Sequence, residues 1–324
     1  MVVRAVRGAE DGVAVVDLDA PPGLRDFGRG CELVRIKAAS ICSSDFLYLN
    51  FGTRHVIGHE LAGVREDGTP VVVEAIYGCM QCPQCRSGRY NLCSTHSQRA
   101  LGITADGGMA DAFFAPSERL VALPTGLDVR DASLVEPASV SWHALRLAGT
   151  GPDTRVAVVG AGALGLLAAA GARRMGATDV AVDARHPHQK EVAERLGARA
   201  EPDGLYDVVI EAAGTPQSMA RCVELAAPGG RIAVLGVHST GRLDVDFFTL
   251  FNREASIIPS LGYCLNGPGE RREMDDAAAM LAADPGIAAA LITHRFGIDD
   301  AAEAFRVAGD RSQGAIRVVV EPGE

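Results

Sequence analysis

What this sequence lacks narrows its function before any motif is read. It has no apolar run long enough to cross a bilayer: the longest small-apolar stretch, residues 163–172, falls well short of the roughly 20 residues a membrane helix needs. The N-terminus, MVVRAVRGAEDGVAVV, has no apolar segment of signal-peptide length. The expectation is a cytoplasmic protein with no membrane partner. Positive charge is also in deficit, with 31 Lys and Arg against 41 Asp and Glu; the net charge of −10 would repel a phosphate backbone, which argues against nucleic acid as a partner. No internal repeat or low-complexity linker interrupts the chain. A content of 48% hydrophobic and 22% charged residues is that of an ordinary globular protein, and 324 residues exceed what one core usually organises, so two domains are expected.

The eight cysteines are not expected to form a disulfide framework in a reducing compartment, so clustered ones point to metal or catalysis. Four of them, Cys79, Cys82, Cys85 and Cys93, do cluster.

Up to about residue 145 the chain reads as short strands broken by Gly, Pro and Asp, at 31–37, 71–75, 113–115 and 119–123, which suggests a compact, barrel-like β domain. From residue 153 the texture changes. Strands at 155–159, 179–183, 206–211 and 231–237 alternate with helices at 163–175, 188–196 and 216–226, the signature of a doubly wound parallel sheet. After a helix at 273–283, the segments 292–296, 301–307 and 315–321 read as strand, helix and strand that return to the first domain.

Within this alternation, Val156-Ala-Val-Val-Gly160-Ala-Gly162-Ala163-Leu164-Gly165 sets three glycines between an apolar strand and a helix. Gly160 permits a tight turn, Gly162 lets the backbone approach a pyrophosphate, and Gly165 lets helix and strand pack closely. The amides opening the helix, at Ala163 and Leu164, are free to hold phosphate. Asp183, 18 residues beyond Gly165, ends the next strand, where its carboxylate can accept from ribose hydroxyls. That favours NAD over NADP, although Arg185 and His186 follow at once and could pair with a 2′-phosphate, leaving NADP as the alternative. A glycine turn can also serve only to tighten an α/β unit; strand, helix and acid together favour the cofactor reading.

The spacing Cys79-x2-Cys82-x2-Cys85-x7-Cys93 offers four thiolates in one loop, enough for a closed tetrahedral zinc site. A ferredoxin run opens alike but closes with a three-residue gap and a proline. With all four positions filled by sulfur, such a zinc is structural. Catalysis would come from Cys42-Ser-Ser44-Asp45, from Gly58-His59-Glu60 and from Glu136-Pro137, whose thiolate, imidazole and carboxylate could leave a fourth position open for a substrate oxygen. Singly each is weak: a lone Cys is usually a small buried hydrophobe, a lone His a satisfied core or surface residue, and Glu136 could be a helix-entry charge.

Their order is more telling. The Cys-x-Ser-Asp element, the Gly-His-Glu triplet, the four-cysteine lobe, Gly107-Gly108 before an aromatic strand, Glu-Pro before a helix, and the glycine turn together resemble the medium-chain dehydrogenase/reductase family, specifically its zinc-dependent alcohol, polyol and threonine dehydrogenases. The resemblance implies an α/β chain with a GroES-like β-barrel catalytic domain over residues 1–146, completed by 290–324, and a Rossmann cofactor domain over 147–289. It implies that Cys42 and His59 bind a catalytic zinc with Glu136 as third ligand, direct or through water. Glu60 resembles the carboxylate that approaches and leaves this metal, Asp45 the acceptor that orients His59, and Ser44 the hydroxyl that takes the alcohol proton. One departure stands out: many relatives carry a histidine where this chain has Leu47, so proton exit must use water or another group. The segment between Cys42 and His59 is also short for the family.

The activity so implied is hydride transfer between NAD and a secondary alcohol, such as a polyol, a cyclitol or sugar-like compound, or an amino alcohol, giving a ketone, with two zinc ions per chain. The alternatives are a primary alcohol/aldehyde dehydrogenase of the same family and, from another class, a non-catalytic zinc-stabilised nucleotide-binding protein. A homodimer or homotetramer is expected, paired through cofactor-domain sheet edges near 232–237 and 256–260. Phe46, Phe51 and Tyr263 are candidates to line the substrate site. Trp142, His143, Cys31, Cys222 and Cys264 are read as packing residues or incidental thiols, and Phe247, Phe248 and Phe251 as an apolar patch of core or subunit interface.

Overall fold

The computed structural model describes the chain except residues 11, 25–29, 96–99, 239–240, 268, 270 and 324 and the side chain of 311. It divides into two compact units, Met1–Glu136 with Cys264–Glu324, and Pro137–Tyr263. Both divisions fall earlier than the 146 and 290 expected. The second moves because the helix Glu273–Ala283 packs on Pro285–Leu291, which packs in turn on the strand Ile292–Gly297 of the first unit.

The first unit is built around the strand Cys31–Ser40. Its sheet runs in the order Ile292–Gly297, Arg317–Glu321, Cys31–Ser40, Glu60–Arg65, Pro70–Val73, Leu120–Ala122, with Ala112–Pro116 also paired to Cys31–Ser40. Only the two C-terminal strands are parallel to each other. Val34, Ile36, Leu61, Val71, Val73, Phe113, Val318 and Val320 fill its core, so the last strand of the chain shares a hydrophobic interior with the first third. An N-terminal hairpin, Val3–Ala9 with Gly12–Leu18, was not among the expected strands; its second strand is half-exposed, and its side chains carry little apolar periodicity.

The second unit is a five-stranded parallel sheet in the order Ser256–Pro259, Ala226–Val234, Tyr206–Glu211, Arg155–Val159, Asp179–Asp183. Three of these strands begin and end where the apolar runs do. The fourth starts five residues early, at Ala226, because the ladder shifts register between Tyr206 and Val208 and pairs Tyr206 with Ala226. It is interior, so of the two expected edge segments only 256–259 lies at a sheet edge.

Candidate functional site

Cys42 caps the helix Ser43–Asn50, and Asp45 in its first turn is fully buried. The carboxylate of Asp45 works in two directions. Oδ2 accepts the Cys42 amide at 2.9 Å, and Oδ1 lies at an ion-pair distance of 3.2 Å from Nδ1 of His59, though neither of these two atoms meets hydrogen-bond geometry with any partner, each other included. With Nδ1 turned to the carboxylate, Nε2 faces the other way, 3.3 Å from Ser44 Oγ. His59 is aimed by the turn before it: Gly58 has φ +95°, and a Cβ there would sit 2.8 Å from Met109 Cβ. Gly107 is constrained by the same turn, since its Cβ would be 2.3 Å from Gly58 O. The Gly-His-Glu triplet and the Gly-Gly pair are thus one packing unit.

Burial opposes charging of the His59 ring, but the neighbouring Asp45 and then Cys42 outweigh it and push its pKa well above the usual value. A metal at Nε2 therefore competes with a proton, as metal sites built from titratable ligands do.

Glu60 opens the strand Glu60–Arg65 and is held by Arg317, whose Nη1 donates to Oε1 at 2.9 Å, to Oε2 at 2.8 Å and to Ile41 O at 2.8 Å. Both partners are buried. Donor atoms of Cys42, His59 and Glu60 lie within 4.8 Å of one another, whereas Glu136 is not in that group. Glu136 is nevertheless a buried neighbour: desolvation raises its pKa to about 8, opposed by His59 and reinforced by Glu60. A sulfur, an imidazole nitrogen with its second nitrogen turned to a carboxylate, and buried carboxylates fit a zinc site of the catalytic type. Arg317 was missed from sequence; its one signal is a cation heading an otherwise apolar strand, Arg-Val-Val-Val.

The four lobe cysteines fit the structural type. Their Sγ atoms lie within 4.8 Å of one another as free thiols. Zn–S bonds of about 2.3 Å in a tetrahedron put sulfurs about 3.8 Å apart, close to the 4.0 Å between Cys79 and Cys85. Backbone amides already serve as thiolate donors: those of Gln81 and Cys82 point at Cys79 Sγ (3.4 and 3.3 Å) and that of Cys79 at Cys93 Sγ (3.3 Å). Burial would raise the Cys93 pKa, but the Thr95 hydroxyl and the Cys79 amide bring it down to about 6.

In the second unit two of the three glycines are sterically required, and the third leaves room over the turn. Gly160 has φ +108° and abuts Ala213; Gly162 caps the helix Ala163–Arg174 and faces open space; a Cβ on Gly165 would lie 1.9 Å from Gly160 O. Asp183, half-buried at the end of its strand, accepts from Arg221 Nε at 3.1 Å, a partner not anticipated. Arg185 is exposed two residues on.

The two halves of the chain match two families in turn: residues 28–125 the alcohol dehydrogenase GroES-like domain, and residues 163–283 the zinc-binding dehydrogenases. L-galactonate-5-dehydrogenase of Escherichia coli K12 is 34% identical over 236 residues, 63% of this chain and 68% of that protein. This chain belongs to the zinc-dependent medium-chain dehydrogenases. Galactitol 1-phosphate 5-dehydrogenase of the same organism is 27% identical over 94% of this chain and 96% of its own length. Among solved structures, a zinc-binding dehydrogenase from Sinorhizobium meliloti 1021 bound to NADP superposes with a TM-score of 0.85 at 28% identity, covering 99% of this chain and all of that one. The GroES-like and Rossmann architectures expected from sequence are those of this zinc dehydrogenase family, and zinc and a nicotinamide dinucleotide are its cofactors.

Proposed function

We propose that the protein is a reversible dehydrogenase of secondary alcohols, taking a polyol or sugar-acid-like substrate to its ketone with NAD. The observation that carries this reading is the convergence of Cys42 and His59 through one buried carboxylate, Asp45, which fixes the amide of the first and the ring of the second. Cys42 and His59 would hold the catalytic zinc with a carboxylate, either Glu60, whose donor atom lies within 4.8 Å of theirs and which Arg317 holds, or Glu136, buried beside it; Cys79, Cys82, Cys85 and Cys93 would hold the structural one. Zinc bound at the first set supplies a Lewis acid that lowers the pKa of a hydroxyl, as bound water falls from 15.7 to about 7 in favourable sites.

The chain's own residues then do the following. Asp45 fixes the His59 ring. Ser44, its Oγ beside His59 Nε2, accepts the hydroxyl proton of the substrate. With Leu47 39% exposed and carrying no titratable group, that proton leaves through water. The amides at Ala163 and Leu164 bind the cofactor phosphates, and Asp183 the adenosine ribose, whose 2′-hydroxyl it accepts and whose 2′-phosphate it would repel. The substrate class follows the relatives named for galactonate, galactitol phosphate, sorbitol and idonate. A homodimer paired at the edge strand Ser256–Pro259, beside exposed Phe247, Phe248 and Phe251, completes the reading.

The test is a turnover screen of alditols, aldonic acids and primary alcohols against NAD and NADP, together with His59→Ala. Secondary hydroxyls and NAD should give the highest kcat/KM, and the variant should lose turnover while still binding NADH. Preferred use of primary alcohols would refute the substrate class, and undiminished turnover in the variant would refute the site.

A further inference from the structure

The sheet of the second unit carries a buried polar junction that the glycine turn does not account for. Glu211 ends the strand Tyr206–Glu211 and is fully buried, yet it is a carboxylate. Its Oε1 accepts from the amides of Ala213 (3.0 Å) and Gly214 (2.8 Å) and from Ser218 Oγ (2.5 Å); its Oε2 lies 3.3 Å from His238 Nε2. Gly236 makes room for it, and Gly214 lets the two turns beside it approach. A Cβ on Gly236 would lie 2.5 Å from Oε2, and one on Gly214, whose φ is +68°, would lie 2.7 Å from Val237 O. The turn Glu211 organises also touches the dinucleotide turn, because a Cβ on Gly160 would meet Ala213 at 2.9 Å. The turns at 212–214 and 236–238 are therefore packed around one carboxylate, and the turn at 160–162 abuts the first of them.

Strand order says what lies over that junction. The ribose acceptor Asp183 ends one edge strand, and the pyrophosphate turn follows its neighbour Arg155–Val159. A dinucleotide laid across the carboxyl ends in that direction continues over Tyr206–Glu211 and Ala226–Val234, each about 5 Å further on. The first of these ends in Glu211 and the second leads to His238. A carboxylate can only accept, so Nε2 of His238 carries the hydrogen between them and Nδ1 is left for a second partner. The side chain is 9% exposed, enough to be reached and too little to swing away.

We propose that His238, positioned by Glu211, hydrogen-bonds the nicotinamide-ribose half of the bound dinucleotide and is a positioning residue for the cofactor. This rests on the dinucleotide reading given above. Binding to the zinc-replete protein of two probes, NADH and ADP, separates the halves of the ligand, since ADP lacks both the nicotinamide and its ribose. His238→Ala should weaken NADH about fivefold to tenfold, the worth of one hydrogen bond, and leave ADP unchanged. His238→Gln, which keeps a polar group at that position, should regain most of the loss. The Ala variant should also lose thermal stability, because Glu211 Oε2 is left without its partner, but a loss of fold alone would weaken both probes equally. Equal weakening of both probes, or no weakening of either, overturns the proposal. A wild-type protein that binds neither probe overturns the dinucleotide reading itself, so the two failures are told apart.

Discussion

Replacing Arg317 with Met should be among the most damaging single changes in the first unit. The guanidinium is 5% exposed and its partner Glu60 1%, and Nη1 alone donates to both Glu60 oxygens and to Ile41 O. Met fills much of the volume but strands a carboxylate in the interior, and breaking a buried ion pair on one side costs about 3–5 kcal/mol. Removing the second charge as well, in Arg317→Met with Glu60→Gln, should recover at least half of that, because the expense lies in the uncompensated charge rather than in the lost contact. Urea unfolding followed by far-ultraviolet circular dichroism is the suitable assay, since the one tryptophan, Trp142, belongs to the other unit and would report on the wrong core. A single-variant loss below about 1 kcal/mol, or a double variant as unstable as the single, would refute the reasoning.

Other perturbations test separate parts of the molecule. Metal analysis should find about two zinc ions per chain, and Cys82→Ser should reduce this to about one while NADH binding persists; unchanged zinc would contradict the four-thiolate site. Gly165→Ala drives a methyl to within 1.9 Å of Gly160 O and should abolish measurable NADH binding, with a stability loss of about 1–3 kcal/mol by urea titration. Asp179 is held below the usual carboxylate range, first by its hydrogen bonds from Arg199 and then by Arg155. A depressed carboxyl stabilises the fold above its unfolded pKa, and that contribution is lost as pH falls through the folded value. Asp179→Asn should therefore cost about 1–2 kcal/mol at pH 7 and progressively less as pH falls below the unfolded carboxyl's range, and a cost independent of pH would count against the ion-pair account.

Much of this architecture could be read directly from residues close in sequence. The strands 155–159, 179–183 and 206–211 were legible because parallel strands covered on both faces appear as unbroken apolar runs. The cysteine lobe and the glycine turn were legible because their partners lie within fifteen residues of one another, so spacing alone constrains geometry. Arg317 was not, because its meaning depends on Glu60, which is 257 residues away and reached only through sheet pairing. Glu211 and His238 escaped for the same reason, each looking like an ordinary polar residue at a strand end. The Asp183–Arg221 pair and the domain divisions likewise depend on which helix faces which strand, a property no local window contains.

The pairing of the last strand with Cys31–Ser40 in one sheet carries a consequence for biosynthesis. Ser40 and Ala39 wait for Val319 and Val320 as ladder partners, and the buried Glu60 carboxylate waits for Arg317. The second unit, contiguous from Pro137 to Tyr263, can emerge from the ribosome and fold while its companion is still an open sheet. Nascent chains stalled before residue 317 should thus hold a nucleotide but grip zinc at Cys42 and His59 poorly, because neither Arg317 nor the strand that carries it is yet in place.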